Sequence, residues 1–288
     1  MFIVTGTHLP LGGAIATRLE ENGHQVRRIK RAISLAHPSE PLSTAAGIIH
    51  ADIALQATRH RTAVDSNILG TRAVRRCARQ LEIPVIHLSS IVAQGPSAPH
   101  QPHIATTPMV PHGVIARSLG IAEQVLIKSR VDADIFRLAV PYGFNGSFDA
   151  VCNGLRRSRV RPLSSQINLS FIHITDLVRT IEQRLKHREH SSFFGHISDG
   201  VTRSGEDLLN AIARSGNTAL RLPFAPPKSI WKLADRLSSP FGNWDMMSHL
   251  THGTTWTSLP SEAESAFSFC PTMSWSTHLR ELDLRLGD

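Results

Sequence analysis

The chain has 288 residues, 41% apolar and 19% charged, the profile of an ordinary globular protein with one large domain or two unequal lobes. Its 31 Lys and Arg against 23 Asp and Glu leave a net charge of +8, read as a diffuse Arg excess or as the mark of an anionic partner; no RNA- or DNA-binding motif appears, so nucleic acid is not expected. Three scattered cysteines (Cys77, Cys152, Cys270) argue against a disulfide framework, no apolar run could span a bilayer, and the N-terminus lacks a basic region and signal core; together these predict a cytoplasmic protein.

Phe2–Thr5 reads as a strand, Leu11–Asn22 as a helix closed by Gly23, and Gln25–Arg31 as a second strand. The junction between the first two is TGTHLPLGG. A glycine turn from strand to helix sets backbone N–H groups against a pyrophosphate. Gly6 fits the tight turn, and Gly12 or Gly13 fits close helix–sheet packing. Leu9 stands where backbone must approach phosphate, and Pro10 removes an N–H. The loop is therefore either an altered dinucleotide site or a structural turn without a ligand. The second strand ends in Lys30 and Arg31 rather than in an acid for a ribose. Any dinucleotide would be NADP, weakly held, and the plain alternative is a solvated basic strand end with no cofactor.

Further on, Gly47–His50 reads as a short strand, Thr62–Leu81 as a long helix and Pro84–Ser89 as a buried strand. A helix over 113–130 follows, with Ile115, Leu119, Ala122 and Leu126 in one stripe, then the strand Ala133–Ala139. Ser170–Ile174 is a later strand, Asp176 caps a helix to about Lys186, and Phe193–Ile197 is one more strand. This alternation predicts an α/β fold: a Rossmann-like doubly wound parallel sheet with a smaller C-terminal mixed lobe. Residues 1–145, completed by 170–198, form the nucleotide-binding domain; 146–169 and 199–288 form the smaller lobe, with helical stretches near 205–215, 227–237 and 275–286.

VDSNILGTRAVRRCARQLEIPVIHLSS, from Val64 to Ser90, with GIIHA, SIVAQG, FRLAVPYG and FIHITDLVRTI, resembles the extended short-chain dehydrogenase/reductases, the group of NAD-dependent sugar epimerases and dehydratases. The resemblance runs from Phe2 to about Arg184. It implies a catalytic Ser, then a Tyr acting as acid or base, then a Lys four residues on that lowers the tyrosine pKa and shares its helix face. Ser90 matches the Ser. Aligned through Ser118 and Ala122–Glu123, Ile115 stands at the Tyr position and Leu119 at the Lys position. The only tyrosine is Tyr142, in the VPYG loop that flanks the substrate in the family, and the residue four after it is Gly146. Only residues 32–46 separate the second and third strands, where the family fits a strand–helix unit, so the sheet is expected to be shortened at that edge. Ile115 and Leu119 are expected to line or abut an apolar pocket beside Ser90.

His100, His103 and His112 lie between Ser90 and the altered helix; His112 is a candidate acid or base, against the plain reading of solvent-facing loop residues. His100-x-x-His103 and His249-x-x-His252 lack a third ligand, so no metal is expected, and His50 reads as a packing residue. In the family, the region of RRSRVRP lies near the diphosphate of a sugar nucleotide, which makes Arg156 and Arg157 substrate candidates, or else a solvated helix end. The helices 62–81 and 113–130 match the pair through which the family dimerises, implying a homodimer. Three functions remain open: a protein without classical redox chemistry that binds a nucleotide-sugar-like or other small ligand, a non-redox isomerase, cyclase or lyase using Ser90 and loop histidines, and an NADP-dependent oxidoreductase with a displaced acid.

Overall fold

The computed structural model describes residues 1–38, 41–54, 60–97, 103–111, 113–146, 148–149, 160–161, 167–187, 192–207, 220–221 and Thr272. In chain order these form β1 (Phe2–Thr5), α1 (Pro10–Glu21), β2 (Val26–Ile29), a 3₁₀ turn (Ala32–Ala36), β3 (Gly47–His50), α2 (His60–Ala63), a π-helical segment (Val64–Gly70) and α3 (Thr71–Leu81). Then come β4 (Val85–Ser90), a second 3₁₀ turn (Ile91–Gln94), α4 (Gly113–Ile127), β5 (Ala133–Leu138), β6 (Val140–Tyr142), β7 (Val160–Arg161) and β8 (Asn168–His173). The series closes with α5 (Ile174–Lys186), β9 (Phe194–Ile197), β10 (Thr202–Ser204) and β11 (Leu220–Arg221).

Six strands form one parallel sheet in the order β2-β1-β3-β4-β5-β9. A second sheet, β10-β8-β6, pairs β8 antiparallel to β10 and parallel to β6. The Rossmann-like reading holds, and so does the shortened edge. Among the described residues of 32–46 there is no strand and only the five-residue 3₁₀ turn, which leaves β2 as the last described strand on that side. Its Ala32 and Leu35, with Leu42 and Ala45, pack on Ala73, Val74, Cys77 and Ala78 of α3. A few buried side chains thus cover the sheet where a helix would otherwise lie.

Local chemistry sets the boundaries. Pro10 occupies the first turn of α1, where a missing N–H costs nothing, and Gly23 at φ +87° ends it. β3 and β4 are buried along their whole length, as central parallel strands require. The predicted helix 62–81 is not uniform, because its middle turn widens to π. There Asn67 faces inward, accepting from the Ala54 N–H at 2.7 Å and donating to Ser118 Oγ at 2.8 Å, while the Thr71 hydroxyl donates to the Asn67 carbonyl. Asp176 is not the cap of α5; the cap is His173, whose Nδ1 accepts from the Thr175 N–H at 3.2 Å. Asp176 instead sits in the first turn and binds Arg179 and Thr272.

The sheet faces differ. Val4, Ile49, Ile86, Leu88, Phe136 and Leu138 pack with Ile15 and Leu19 of α1 and with Leu177, Val178 and Ile181 of α5. Each such side chain contributes roughly 1.5–3 kcal/mol by burial. The opposite face is apolar at Ile3, Ile48 and Val85 and turns polar toward the strand ends at Thr5, His50, His87 and Ser89. The outward side of α3 is also not apolar: Arg72, Arg75, Arg76 and Arg79 are exposed along it.

Candidate functional site at the carboxyl edge

β2 lies on one side of β1 and β3 on the other, so the topological switch point falls between β1 and β3. Open parallel sheets take ligands at such a crevice, outside the carboxyl ends of the strands. Gly6 adopts φ +76°, and a Cβ there would strike the Ala51 carbonyl and the Asp52 N–H. A Cβ on Gly12 would strike the Gly6 carbonyl, so Gly12 is the close-packing glycine. The turn spends part of its own donor set: the Leu9 N–H is bound to the Gly6 carbonyl at 2.9 Å and the Thr7 N–H to that of Ile29 at 3.3 Å. No side chain caps α1, so the Leu11 and Gly12 N–H groups are what its N-terminus offers an anion. Lys30 and Arg31 are exposed at the end of β2, and His8 Nδ1 is hydrogen-bonded to the Lys30 carbonyl.

Sequence reasoning missed Asp52. It follows β3, is almost fully buried, and accepts the Ala32 N–H through Oδ2 at 2.6 Å, while Oδ1 has no hydrogen-bond partner. Burial pushes its carboxyl up, against the Ala32 N–H and the charges of His8 and Arg31, which pull it down. The available signal was an acid directly after the apolar run GIIHA, beside the glycine turn.

At the other end of the crevice, Ser90 is the last residue of β4. Its Oγ accepts the Val92 N–H at 3.3 Å and caps the second 3₁₀ turn. Leu119 is fully buried in the apolar cluster that holds Leu11, Ala51, Ile53, Ala93 and Leu138, and Ile115 packs half-buried against it. Ile115 abuts this apolar cluster, and Leu119 is part of it.

Polar groups hold α4 at this height. Glu123, fully buried, accepts from Ser89 Oγ at 2.5 Å and from Arg137 at 3.1, 3.2 and 2.7 Å. Arg137 also donates to the Ala105 carbonyl and stacks 4.3 Å from the centre of the Phe194 ring. Ser118 Oγ donates to the Ile115 carbonyl and accepts from Asn67. His50 lies in a further chain. The Thr71 hydroxyl donates to Asn67, so it accepts from His50 Nε2 at 2.9 Å; Nδ1 then accepts from Thr5 at 2.8 Å. His87, 5.0 Å from the His50 ring, has no partner on either nitrogen, and burial pulls it down to about 3.

The loop after Ser90 is tied down. Gln94 donates to the Ile104 and Thr107 carbonyls and accepts from His196 at 2.6 Å, and His103 Nε2 donates to the Gly95 carbonyl at 3.0 Å. Burial, helped by the charges of Arg137 and His103, pulls His196 down to about 3. His103 is thus a buried structural residue. His100 and His112, with Arg156, Arg157, Cys152, Cys270, His249 and His252, lie outside the described residues. Tyr142, expected beside the substrate, is the last residue of β6. It is enclosed between Phe171 and His173, and burial pushes its phenol well up. Among the described residues, no group of three or more His, Cys, Asp or Glu is placed to hold a metal.

No family model and no curated protein match the sequence. Solved structures do match the fold. Pal from Bacillus thuringiensis superposes with a TM-score of 0.78 at 13% identity, covering 99% of this chain and 98% of that one. MoeE5 in complex with UDP-glucuronic acid and NAD gives 0.76 at 15% identity, covering 100% and 99%. DesIV, a dTDP-glucose 4,6-dehydratase from Streptomyces venezuelae, gives 0.76 at 15% identity, covering 100% and 97%. The chain shares its fold with these proteins and with a short-chain dehydrogenase/reductase superfamily protein from Agrobacterium tumefaciens, at a TM-score of 0.74 and 13% identity over 100% of this chain and 97% of that one. Within that fold, Gly6, Gly12 and Asp52 gather at the β1/β3 crevice, and Ser90 and Ile115 lie toward β4 and α4. Among the described residues, no helix is long and apolar enough to cross a membrane.

Proposed function

We propose that the chain binds a nucleotide-sugar-like ligand along the carboxyl edge and performs no Tyr/Lys redox chemistry. The observation that carries this reading is the enclosure of Leu119 in the apolar core, together with a single tyrosine buried elsewhere. Loss of a positioned acid or base costs roughly 10²–10⁴ in rate, and here the position of its tuning cation is lost as well. The ligand class draws support from MoeE5, which holds UDP-glucuronic acid with NAD. For a dinucleotide, the Gly6 turn, the α1 N-terminus and the exposed Lys30 and Arg31 fit phosphates, including a 2′-phosphate. A nicotinamide would supply a hydride acceptor, but Ile115 and Leu119 offer no group to move the accompanying proton. The cofactor reading is accordingly weak NADP binding or none. A homodimer through helices 62–81 and 113–130 would have to meet the four exposed arginines of α3 with acids or solvent.

Calorimetric titration with UDP-glucose, NAD(H) and NADP(H), with the nicotinamide absorbance followed in the presence of UDP-glucose, tests the reading. Saturable UDP-sugar binding without any absorbance change is expected. Micromolar NAD(H) binding with nicotinamide reduction would overturn it.

A further inference from the structure

The α3 sequence TRAVRRCARQL places Arg72, Arg75, Arg76 and Arg79 at the i, i+3, i+4, i+7 spacing of one helical face. The opposite face, Ala73, Val74, Cys77 and Ala78, is buried. α3 and α4 pack side by side and both end where strands begin, at Val85 and Ala133. Their C-termini therefore meet at the amino edge of the sheet, across the molecule from the crevice. A groove of about 330 Å³ opens there, lined by Arg75, Arg76, Arg79, Lys128, Ser129, Arg130 and Val131. No carboxylate lines it, and none of its five cations makes an ion pair or hydrogen bond among the described residues. The nearest acids in sequence, Glu82 and Asp132, are not among the lining residues; Asp132 accepts from Ser192 at 3.1 Å.

Basic residues near a helix C-terminus complement its dipole, but that effect reaches only the last turn. Arg79 meets that need for α3, while Arg75 and Arg76 stand a turn further in. Holding five like charges together destabilises a fold unless an anion meets them. Arginine forks match phosphate oxygens in pairs, and linked phosphates concentrate several charges within a compact volume. A single carboxylate would neutralise one cation in five.

We propose that this groove is a second ligand site, independent of the carboxyl-edge reading, for a compact anion with two or more linked phosphates. Arg75, Arg76, Arg79, Lys128 and Arg130 supply the charge, and the α3 and α4 ends supply the walls. The test titrates the full chain with inorganic tripolyphosphate, a nucleoside triphosphate and a short oligonucleotide at constant ionic strength. It compares the native protein with R76A/R79A and with K30A/R31A at the opposite edge. Both pairs are exposed, so both variants are expected to keep the native melting temperature without ligand. Saturable tripolyphosphate binding should weaken on the order of tenfold or more in R76A/R79A and persist in K30A/R31A. Equal affinity for the nucleoside triphosphate would mean that phosphates alone are read, and tighter binding that a base or ribose is read too. Unchanged affinity in R76A/R79A, no saturable binding, or an oligonucleotide that binds more tightly than tripolyphosphate would each overturn the proposal. The carboxyl-edge reading fails separately, on the UDP-glucose titration.

Discussion

On the sheet face covered by α1 and α5, the central strands present Val4, Ile49, Ile86, Leu88, Phe136 and Leu138. On the face covered by α3 and α4, the same strands present Thr5, His50, His87, Ser89 and Arg137. The first face relies on apolar contact, which is non-directional and tolerates repacking. A buried ion pair there, Asp134 with Arg184 at 2.9 Å, joins the start of β5 to the end of α5, far from the crevice. The second face relies on directional bonds, Ser89–Glu123–Arg137 and Thr5–His50–Thr71–Asn67–Ser118, which fix the rotation and height of α4. A site needs such fixed support beneath it, and the polar layer sits under the crevice that holds Ser90 and Ile115. The polar face is also uneven: Glu123 is fully partnered, whereas His87 and one oxygen of Asp52 are not.

Removing one member of the fully partnered network should have the largest effect. Glu123→Ala would strand the buried Arg137 guanidinium and should cost about 3–5 kcal/mol in urea unfolding. Glu123→Leu with Arg137→Met should recover most of that loss, because apolar groups need no partner. A single-mutant cost under about 1 kcal/mol would mean that the network does not position α4.

Leu119→Lys comes next. Leu119 lies in the apolar cluster, so an ammonium there is desolvated and should cost about 3 kcal/mol. Ile115→Tyr, at a half-buried position, should cost only about 1 kcal/mol. Thermal melts of the two single variants and of the pair check this. If Leu119→Lys melted like the native chain, an open corner would exist and restoring a catalytic pair would become feasible.

His87 sharpens the contrast within the polar face. Its folded pKa, about 3, lies below the ordinary 6.5, so below 6.5 the unfolded chain takes up a proton that the native one refuses. The stability that this site contributes is complete above pH 6.5 and falls as the pH drops toward 3. At pH 5 the loss is about 2 kcal/mol. His50 and His196 shift in the same direction and add to the slope. His87→Leu should remove its share, so urea midpoints at pH 7 and pH 5 should lie closer together in the variant. An equal drop in both proteins would show that His87 is hydrated.

Most of the main sheet was legible in the sequence because apolar runs such as GIIH and glycine turns are local signals. The shortened edge was legible as a matter of chain length between strands. The polar layer was not. His50 read as a packing residue, and only the register that sets it between Thr5 and Thr71 reveals its role. Glu123 entered as an alignment anchor, because a carboxylate on a helix gives no sign that an arginine from the next strand will meet it. The burial of Tyr142 was hidden for a related reason: only the pairing of β6 with β8 sets its ring against Phe171 and His173.

Asp52 supplies the smallest effect and the opposite sign. Its carboxyl is pushed up by burial, so the native state holds the proton more tightly than the unfolded chain does. Its contribution to stability is complete below the unfolded value of 3.8 and is lost as the pH rises through the folded pKa. Above the unfolded value the buried, half-partnered carboxyl is therefore a liability. Asp52→Asn keeps an oxygen for the Ala32 N–H and removes the charge, so the variant should be about 1 kcal/mol more stable at pH 7 and nearly unchanged at pH 3.5. Asp52→Ala should gain less, because the Ala32 N–H would then be buried without an acceptor. Urea unfolding of both variants at the two pH values checks this. A destabilised Asp52→Asn at pH 7 would mean that the second oxygen is satisfied in solution, and the contrast between partnered Glu123 and orphaned Asp52 would fall.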